Sequence, residues 1–555
     1  MSQTTFVLLT ILVVASIIII FTIIEKVARR KRMMSCLKQL WGSKEPGKDR
    51  VFMAENRKST LLAKKADHPF FIDDITWEDL NMDSVFKRLN YSRSTVGEEV
   101  LYSLLRLPIL NREQLNKREK QISMFQKDEN IRLSIQYILS SLGFSQDIRL
   151  GDWLYGTPGN ISTSVAPYVI LIVILVLSPF LFLFNPGLGL ITVVAVVFTN
   201  MIVHARTVRD QQAYLEPVKY LVRMIIAAGK ISKLKHEDLN DDFKRLSSLY
   251  KKMNTFSTQN FIYMQSIAQD PITEYLKTIF LGEIIFFKST MNQLLKHQKE
   301  LQEMYELLGG MDSLISIASY RESISGWCKP EFETDKGKSF SVVDAWHPLI
   351  ENPVPNSMNM ENAVLLTGSN ASGKSTWLKV CAINVLFAQT IHTCTAKAYH
   401  SSFFRLYSSM ALRDDIGSGE SYYIVEIRSL KRILDAVEGE PKVFCVIDEV
   451  LRGTNTVERI AASSEVLSLL SRKGCLCMAA THDLELVQLL NDIYTPYHFQ
   501  ETITDAGISF DYILYQGPTE TRNAIKLLAL MGYEPTMVER AEEKSKKFME
   551  TGLWQ

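Results

Sequence analysis

The stretch Ala363–Thr376 reads AVLLTGSNASGKST and decides the fold of the second half of the chain. Val364–Thr367 predicts a buried strand, and Trp377–Phe387 predicts the amphipathic helix that follows it. The glycines between them allow a tight turn, so that backbone N–H groups and the next helix N-terminus face phosphates. The stretch therefore predicts a P-loop that binds ATP through Gly368, Ser369, Asn370, Ala371, Ser372, Gly373, Lys374, Ser375 and Thr376.

A second apolar run, Val443–Ile447, ends in two carboxylates, Asp448 and Glu449. This pattern is typical of a strand buried on both faces of a parallel sheet, with its acidic groups at the carboxyl end. We expect Lys374 to reach the β and γ phosphates, and Ser375 and Asp448 to hold Mg²⁺. Glu449 would then orient or deprotonate the attacking water, which predicts an Mg²⁺-dependent ATPase.

A third predicted strand, Cys475–Ala480, is followed by Thr481 and His482. The order of the three strands places the His482 imidazole near the γ-phosphate, where it would sense the phosphate or position water. A structural histidine is the alternative reading. We expect Glu449 and His482 to form the catalytic pair.

Two further stretches carry a family resemblance. Asp414–Glu426 reads DDIGSGESYYIVE, and Asp448–Thr456 reads DEVLRGTNT. Both resemble the MutS mismatch-repair family, in which the Ser-Gly-x-Ser stretch reaches across a dimer interface onto the partner's nucleotide. The resemblance implies that Ser421 acts in trans and that the chain forms a homodimer.

The likeness extends outside the ATPase region. Asp83–Asn90, Met311–Leu314, Trp346–Ile350 and the tail from Gly517 to Ala541 are similar to family segments. The resemblance implies an all-α core and lever domain before an ABC-type α/β P-loop ATPase domain. Only about fifty residues lie between the apolar N-terminus and the core, too few for the family's mismatch-recognition domain. The expected absence of that domain argues against mismatch reading, and DNA is a candidate partner only through the family resemblance.

The N-terminus predicts a membrane anchor. Phe6–Ile24 contains no charged residue and spans about 28 Å as a helix, close to the thickness of a bilayer core. The basic residues Lys26, Arg29, Arg30, Lys31 and Arg32 follow it, which places the remainder in the cytoplasm by the positive-inside rule. A cleaved signal peptide is disfavoured because the charges follow the apolar run.

A second apolar block, Ala166–Val203, is interrupted by the turn signal Asn185-Pro186-Gly187. Its halves, Tyr168–Phe184 and Leu188–Val203, predict a transmembrane hairpin; a buried helical pair in a soluble core is the alternative. With the N-terminal segment, this predicts three spans through the lipid bilayer. The expected protein is a multi-pass protein of the cell membrane with a cytoplasmic ATPase domain.

The composition gives no support for three features: a strongly basic surface for nucleic acid, a disulfide framework and a zinc site. The formal net charge is +1 with 22% charged residues, so no global basic field indicates nucleic acid. The seven cysteines lack a CxxC pairing, which argues against a disulfide framework or a zinc site. A reducing compartment fits this pattern.

Together these patterns predict an α/β P-loop ATPase domain, ABC-type and MutS-like, preceded by an all-α core and lever domain with transmembrane helices. The predicted domains are an anchor with its basic stop (1–32), a linker (33–74), the first part of the helical core (75–150), the hairpin (166–204), the second core and lever part (205–335), the ATPase domain (336–515) and a C-terminal helical dimerisation segment (516–555).

Two functions remain open on the sequence. The first is a membrane-anchored MutS-like ATPase whose dimer opens and closes on DNA, as in mismatch repair or other recognition of DNA structure. The second is an ABC-type ATPase coupled to membrane transport or an envelope process without DNA binding. A transporter would carry Leu-Ser-Gly-Gly-Gln where this chain has Ser418–Tyr422, SGESY, which favours the first.

Overall fold

The computed structural model describes residues 3–44, 65, 68–145, 150–156, 164–265, 275, 278–333, 337–369, 372–410, 422–504, 507–518, 525, 528–529 and 531–551. The chain folds into two compact units. The helical unit comprises Met1–His68, Leu89–Leu104 and Glu119–Ile324, and the α/β unit comprises Pro69–Arg88, Leu105–Arg118 and Ser325–Gln555.

The described helices, numbered along the chain, are α1 Gln3–Leu40, α2 Asp74–Asp79, α3 Met82–Leu89, α4 Thr95–Arg106, α5 Arg112–Lys127, α6 Glu129–Ser140, α7 Leu150–Tyr155, α8 Ala166–Leu177, α9 Pro186–Ile231, α10 Asn240–Gln265, α11 Gly282–Lys296, α12 Gln298–Ser323, α13 Lys374–Thr390, α14 Tyr422–Ala436, α15 Thr456–Arg472, α16 Leu484–Leu489 and α17 Pro535–Thr551. The strands are β1 Glu331–Phe332, β2 Phe340–Ala345, β3 Asn356–Met360, β4 Ala363–Thr367, β5 Ala398–Ser401, β6 Arg405–Ser409, β7 Val443–Asp448, β8 Leu476–Ala480, β9 Tyr494–Thr504 and β10 Gly507–Gln516.

The helical unit is organised around α12, whose second half is almost entirely buried. Asp312 on this helix accepts hydrogen bonds from the backbone N–H of Arg93 and from the Ser94 hydroxyl, just before α4 begins. Arg321, also on α12, donates two hydrogen bonds to the carboxylate of Glu119. These buried polar contacts fix α12 against its neighbours, because an unpaired buried charge is costly.

The predicted hairpin is present as two apolar helices. The helix α8 continues as a 3₁₀ helix over Ser178–Leu183, and Asn185 then caps α9 by accepting from the N–H groups of Gly187 and Leu188. Two segments of the described chain are long and apolar enough to cross a membrane: Ala166–Leu183 and Pro186–Arg209, with mean hydropathies of 2.6 and 2.1. Both leave most of their side chains exposed.

The prediction of three spans is therefore not supported as it stands, since two qualify. The first predicted span, Phe6–Ile24, falls within α1. Most of its side chains lie outside the described residues, so this span stays a prediction.

The α/β unit is built on a six-stranded sheet with the order β10-β9-β4-β8-β7-β6. All neighbours are parallel except β10 and β9, and β4, β7 and β8 are buried along their whole length. Strands covered on both faces consist of continuous apolar runs, which is why the sequence predicted these three. A smaller sheet has the order β1-β5-β2-β3. The predicted α/β P-loop architecture is confirmed.

The helix α2 packs within the α/β unit, although the sequence placed residues 75–150 together in the helical core. Thr76 Oγ1 accepts from the N–H of Ser408, and Asp79 Oδ2 accepts from the Ser408 hydroxyl and from the N–H of Met410. Asp73 forms an ion pair with Arg432 of α14 at 2.6 Å. These contacts attach the short helix to β6, the edge strand of the sheet.

Candidate nucleotide-binding site

The P-loop connects the end of β4 with the start of α13. Gly373 caps α13 with φ of +113°, and Gly368 has φ of +140°, so both adopt conformations that L side chains rarely take. A Cβ at Gly368 would lie 2.7 Å from the carbonyl oxygen of Phe499. Glycine is therefore required at both positions, and the turn aims the N-terminus of α13 into the cavity beside it.

Lys374, the first residue of α13, reaches back to the beginning of the P-loop. Its Nζ donates to the carbonyl oxygens of Gly368 and Ser369 at 2.8 and 2.7 Å. Burial lowers the pKa of Lys374 to about 8, and the carboxylates of Asp448 and Glu449 offset part of that effect. A buried ammonium held by neutral carbonyls is well suited to bind an anion.

A cavity of about 550 Å³ lies in front of the P-loop. It is lined by eight of the predicted site residues: Ser372, Gly373, Lys374, Ser375, Thr376, Asp448, Glu449 and His482. Gly368 and Ser369 do not line the cavity themselves, but their carbonyl oxygens accept hydrogen bonds from Lys374, which does. Asn370, Ala371 and Ser421 lie outside the described residues, so their predicted roles stay predictions.

The cavity contains a buried polar atom suited to a ligand. The hydroxyl of Ser372 is buried and has no hydrogen-bond partner among the residues that the structure describes. Such a group carries a desolvation cost that a phosphate oxygen would remove. The residues present therefore fit a nucleoside triphosphate. The exposed Ser375 and the Asp448 carboxylate line the same cavity and offer the oxygen ligands that Mg²⁺ prefers.

Glu449 is held on both carboxylate oxygens. Its Oε1 lies 3.0 Å from Nε2 of His482, and its Oε2 contacts Nε of Arg452. Burial alone would raise the pKa of Glu449, but hydrogen bonds from His482 and Arg452 and their charges outweigh it and lower the pKa to about 2. Glu449 is therefore an ionised carboxylate in the resting site.

The cavity is also lined by several apolar residues that the sequence did not assign to the site. They include Trp346, Ile350, Pro353, Val354 and Tyr512. Trp346 and Ile350 belong to a stretch that the sequence singled out only for its family likeness. Tyr512 comes from β10, and no local signal could have placed it there because strand pairing at the sheet edge brings it in.

His347 and Arg452 also line the cavity without a predicted role. Nδ1 of His347 accepts from the N–H of Leu349 at 3.2 Å, and burial lowers the pKa of His347 to about 4. This imidazole is therefore neutral at physiological pH. Arg452 stood within the quoted stretch Asp448–Thr456, but only the folded loop reveals its contact with Glu449.

Comparison with known proteins agrees with this geometry. The family model for MutS domain V matches residues 364–549. The DNA mismatch repair protein MutS of Thermotoga maritima is 27% identical over 326 residues, which cover 57% of this chain and 40% of that protein. The MutS proteins of Natronomonas pharaonis and Methanosarcina mazei are each 28% identical, over 46% and 48% of this chain and 31% of their own lengths.

The chain thus covers less than half the length of these relatives. The predicted resemblance is confirmed for the ATPase region. The matches favour the first of the two predicted functions over an ATPase of the transporter type.

Proposed function

We propose, from the match of residues 364–549 to the family model for MutS domain V, that the chain is a membrane-anchored, Mg²⁺-dependent ATPase that works as a homodimer. ATP binding and hydrolysis would close and open the two subunits, with DNA as the bound partner. The observation that carries the ATPase proposal is the pairing of Glu449 with His482 in the cavity that Lys374 enters.

Each residue has a role that follows from its position. Lys374 would bind the β and γ phosphates in place of the two carbonyl oxygens it now contacts. Ser375 and Asp448 would hold Mg²⁺, which neutralises charge that develops on the transferred phosphoryl group. Glu449 would accept the proton of the attacking water, and His482 would fix the orientation of that carboxylate.

Ser421 would complete the site from the second copy. It directly precedes α14, which begins at Tyr422. We therefore expect hydrolysis to depend on dimer formation, and so to rise more than linearly with protein concentration. DNA binding rests on the likeness to mismatch repair proteins, so its test is a separate one.

The membrane proposal rests on the exposed apolar helices Ala166–Leu183 and Pro186–Arg209. A side chain such as Leu183 is 80% exposed and Phe184 is 86% exposed at the tip of the hairpin. No residue between Ala166 and Val203 is charged, so lipid would cover this part of the surface without burying a charge. With both flanks in the cytoplasm, the ATPase domain would be cytoplasmic and the protein would be a multi-pass protein of the cell membrane.

The test of the ATPase proposal is Glu449→Gln in the full chain. The variant should bind ATP with unchanged affinity and hydrolyse it at least about a hundredfold more slowly, because the amide cannot take a proton. The control is Glu465→Gln, an exposed carboxylate on α15 that does not line the cavity. Undiminished hydrolysis by Glu449→Gln would reject the assignment.

DNA is tested by the response of ATP hydrolysis to duplex, mismatched and branched DNA at several salt concentrations. Contacts with phosphates release counterions, so a genuine response should fade steeply as salt rises. A rate that ignores all three DNA forms at low salt would remove DNA as a partner and leave the ATPase assignment intact.

A further inference from the structure

The loop that follows β7 has an unusual backbone. Glu449 and Leu451 have φ angles of +58° and +59°, in the left-handed region that side chains with a Cβ disfavour. Such a conformation persists only where surrounding contacts impose it. The loop carries the proposed catalytic carboxylate and Arg452, so whatever imposes this conformation also sets the position of Glu449.

Glu426 makes the required contacts from α14. Its side chain is only 4% exposed, and its Oε1 accepts from the N–H of Arg452 at 3.2 Å. Burial raises the pKa of Glu426, and the nearby N–H groups of Arg452, Leu451 and Gly453 offset part of that rise. Its Oε2 is buried and has no hydrogen-bond partner among the described residues. One buried carboxylate therefore accepts from the loop at Arg452 and lies near the N–H groups of the residues on either side, an arrangement that stabilises a turn of this kind.

Packing between α14 and the loop reinforces this contact. A Cβ at Gly453 would lie 2.9 Å from Cβ of Tyr423, so the loop backbone lies directly on the first turn of α14. Leu430 of α14 and Leu451 of the loop belong to the same buried cluster. The helix and the loop therefore form one packed unit, and Glu426 makes the polar contact between them.

We propose that Glu426 is the positioning residue of the ATPase site: it holds the backbone of Leu451–Gly453 and thereby presents Glu449 to the attacking water. The inference rests on the proposed function. It also supplies a route for regulation, because Ser421, the residue predicted to act in trans, directly precedes α14 in the sequence. A partner that engages Ser421 would act on the same helix that holds the catalytic loop.

The test compares Glu426→Ala, Glu426→Gln and Ser429→Ala in the full chain. Ser429 is a matched control because it is buried on the same helix and its hydroxyl has no hydrogen-bond partner within the described part of the chain. We expect Glu426→Ala to lower kcat at least about tenfold while KM for ATP changes less than about twofold. Glu426→Gln should restore most of kcat, because its amide oxygen still accepts from the loop. Ser429→Ala should match the wild type.

A purely structural role would have a different signature. Glu426→Ala would then lower the melting temperature and raise KM together with the loss of kcat, and Glu426→Gln would not restore kcat. That outcome overturns the inference. An unchanged kcat in Glu426→Ala overturns it as well. If Glu426→Ala does not fold, Glu426→Asp decides, since it keeps the charge but withdraws it from the loop. Its kcat should fall at least about threefold, and an unchanged kcat overturns the inference.

The same series separates this inference from the proposed function. If the wild type does not hydrolyse ATP, the proposed function fails and the inference with it. If the wild type is active, Glu449→Gln is inactive and Glu426→Ala equals the wild type, the inference alone fails.

Discussion

Nε2 of His482 lies 3.0 Å from Oε1 of Glu449, and this pair joins the carboxyl ends of the adjacent strands β8 and β7. Arg452 contacts the other carboxylate oxygen. With a pKa of about 2, Glu449 is a weak base in the resting protein, whereas a general base works best with a pKa near the operating pH. Release of either partner would raise its basicity, so the pair is a natural point of control over hydrolysis.

His482→Ala should change both the rate and its pH dependence. Without the imidazole, the pKa of Glu449 rises from about 2 towards the ordinary value of about 4.3, and the carboxylate loses its orientation. Because activity requires the ionised form, the acid limb of the rate profile should move to higher pH. We expect kcat at neutral pH to fall at least about tenfold, measured by phosphate release between pH 4 and 9.

The matched control for this variant is His400→Ala. His400 also pairs with a carboxylate, Glu331, at 2.8 Å, but on the smaller sheet and away from the cavity. Its profile should coincide with that of the wild type. An acid limb in His482→Ala that does not move would contradict the role assigned to the Glu449 pair.

Lys374 should make nucleotide binding depend on pH. Its pKa of about 8 means that the free protein loses this proton as pH rises through 8, whereas bound phosphates favour the charged form. ATP binding at pH 9 should therefore take up close to one proton, and affinity should fall by up to about tenfold per pH unit above 8. Calorimetry in buffers of different ionisation enthalpy measures the uptake. The control is Lys397→Met, which replaces an exposed lysine and should leave the proton uptake unchanged. If the wild type takes up no proton when it binds ATP at pH 9, the prediction is wrong.

Much of the fold could be predicted from the sequence, because parallel strands buried on both faces leave continuous apolar runs. The runs that became β4, β7 and β8 each end in the residues of the site, and their order alone placed Lys374, Asp448 and His482 at one edge. The left-handed backbone of Glu449 could not be predicted, since the contacts around it come from distant parts of the sequence. The N–H of Glu449 donates to the carbonyl oxygen of Ala480, and Glu426 accepts from the N–H of Arg452 in the same loop.

The length of α9 in the helical unit could not be predicted from local sequence patterns. The sequence predicted the turn at Asn185 but ended the hairpin near residue 204, whereas α9 runs from Pro186 to Ile231 as one helix of 46 residues. Pro217 lies inside it, a residue that usually interrupts a helix. The buried residues that follow, including Tyr220 and Ile225, hold the helix together by packing that no propensity reveals.

Two adjacent glycines in α12 should respond to alanine in opposite directions. A Cβ at Gly309 would lie 2.7 Å from the carbonyl oxygen of Val96 and 2.4 Å from Cγ2 of Val100, whereas a Cβ at Gly310 meets nothing within 4 Å. Gly309→Ala should lower the free energy of unfolding by about 1–3 kcal/mol through overpacking. Gly310→Ala should raise it by up to about 1 kcal/mol through helix propensity. Thermal denaturation of the two variants compares them directly, and equal shifts would contradict the packing of α12 on α4.

The hairpin makes a prediction about sidedness that does not depend on the ATPase. Phe184 is 86% exposed at its tip, and both flanks should lie in the cytoplasm. In intact cells, Phe184→Cys should therefore react with a thiol reagent that cannot cross membranes. Leu489→Cys, which is 59% exposed in the α/β unit, should react only after permeabilisation, as should the wild-type cysteines. If Phe184→Cys also needs permeabilisation, the two helices do not cross the bilayer, and their apolar surface must be covered by protein instead.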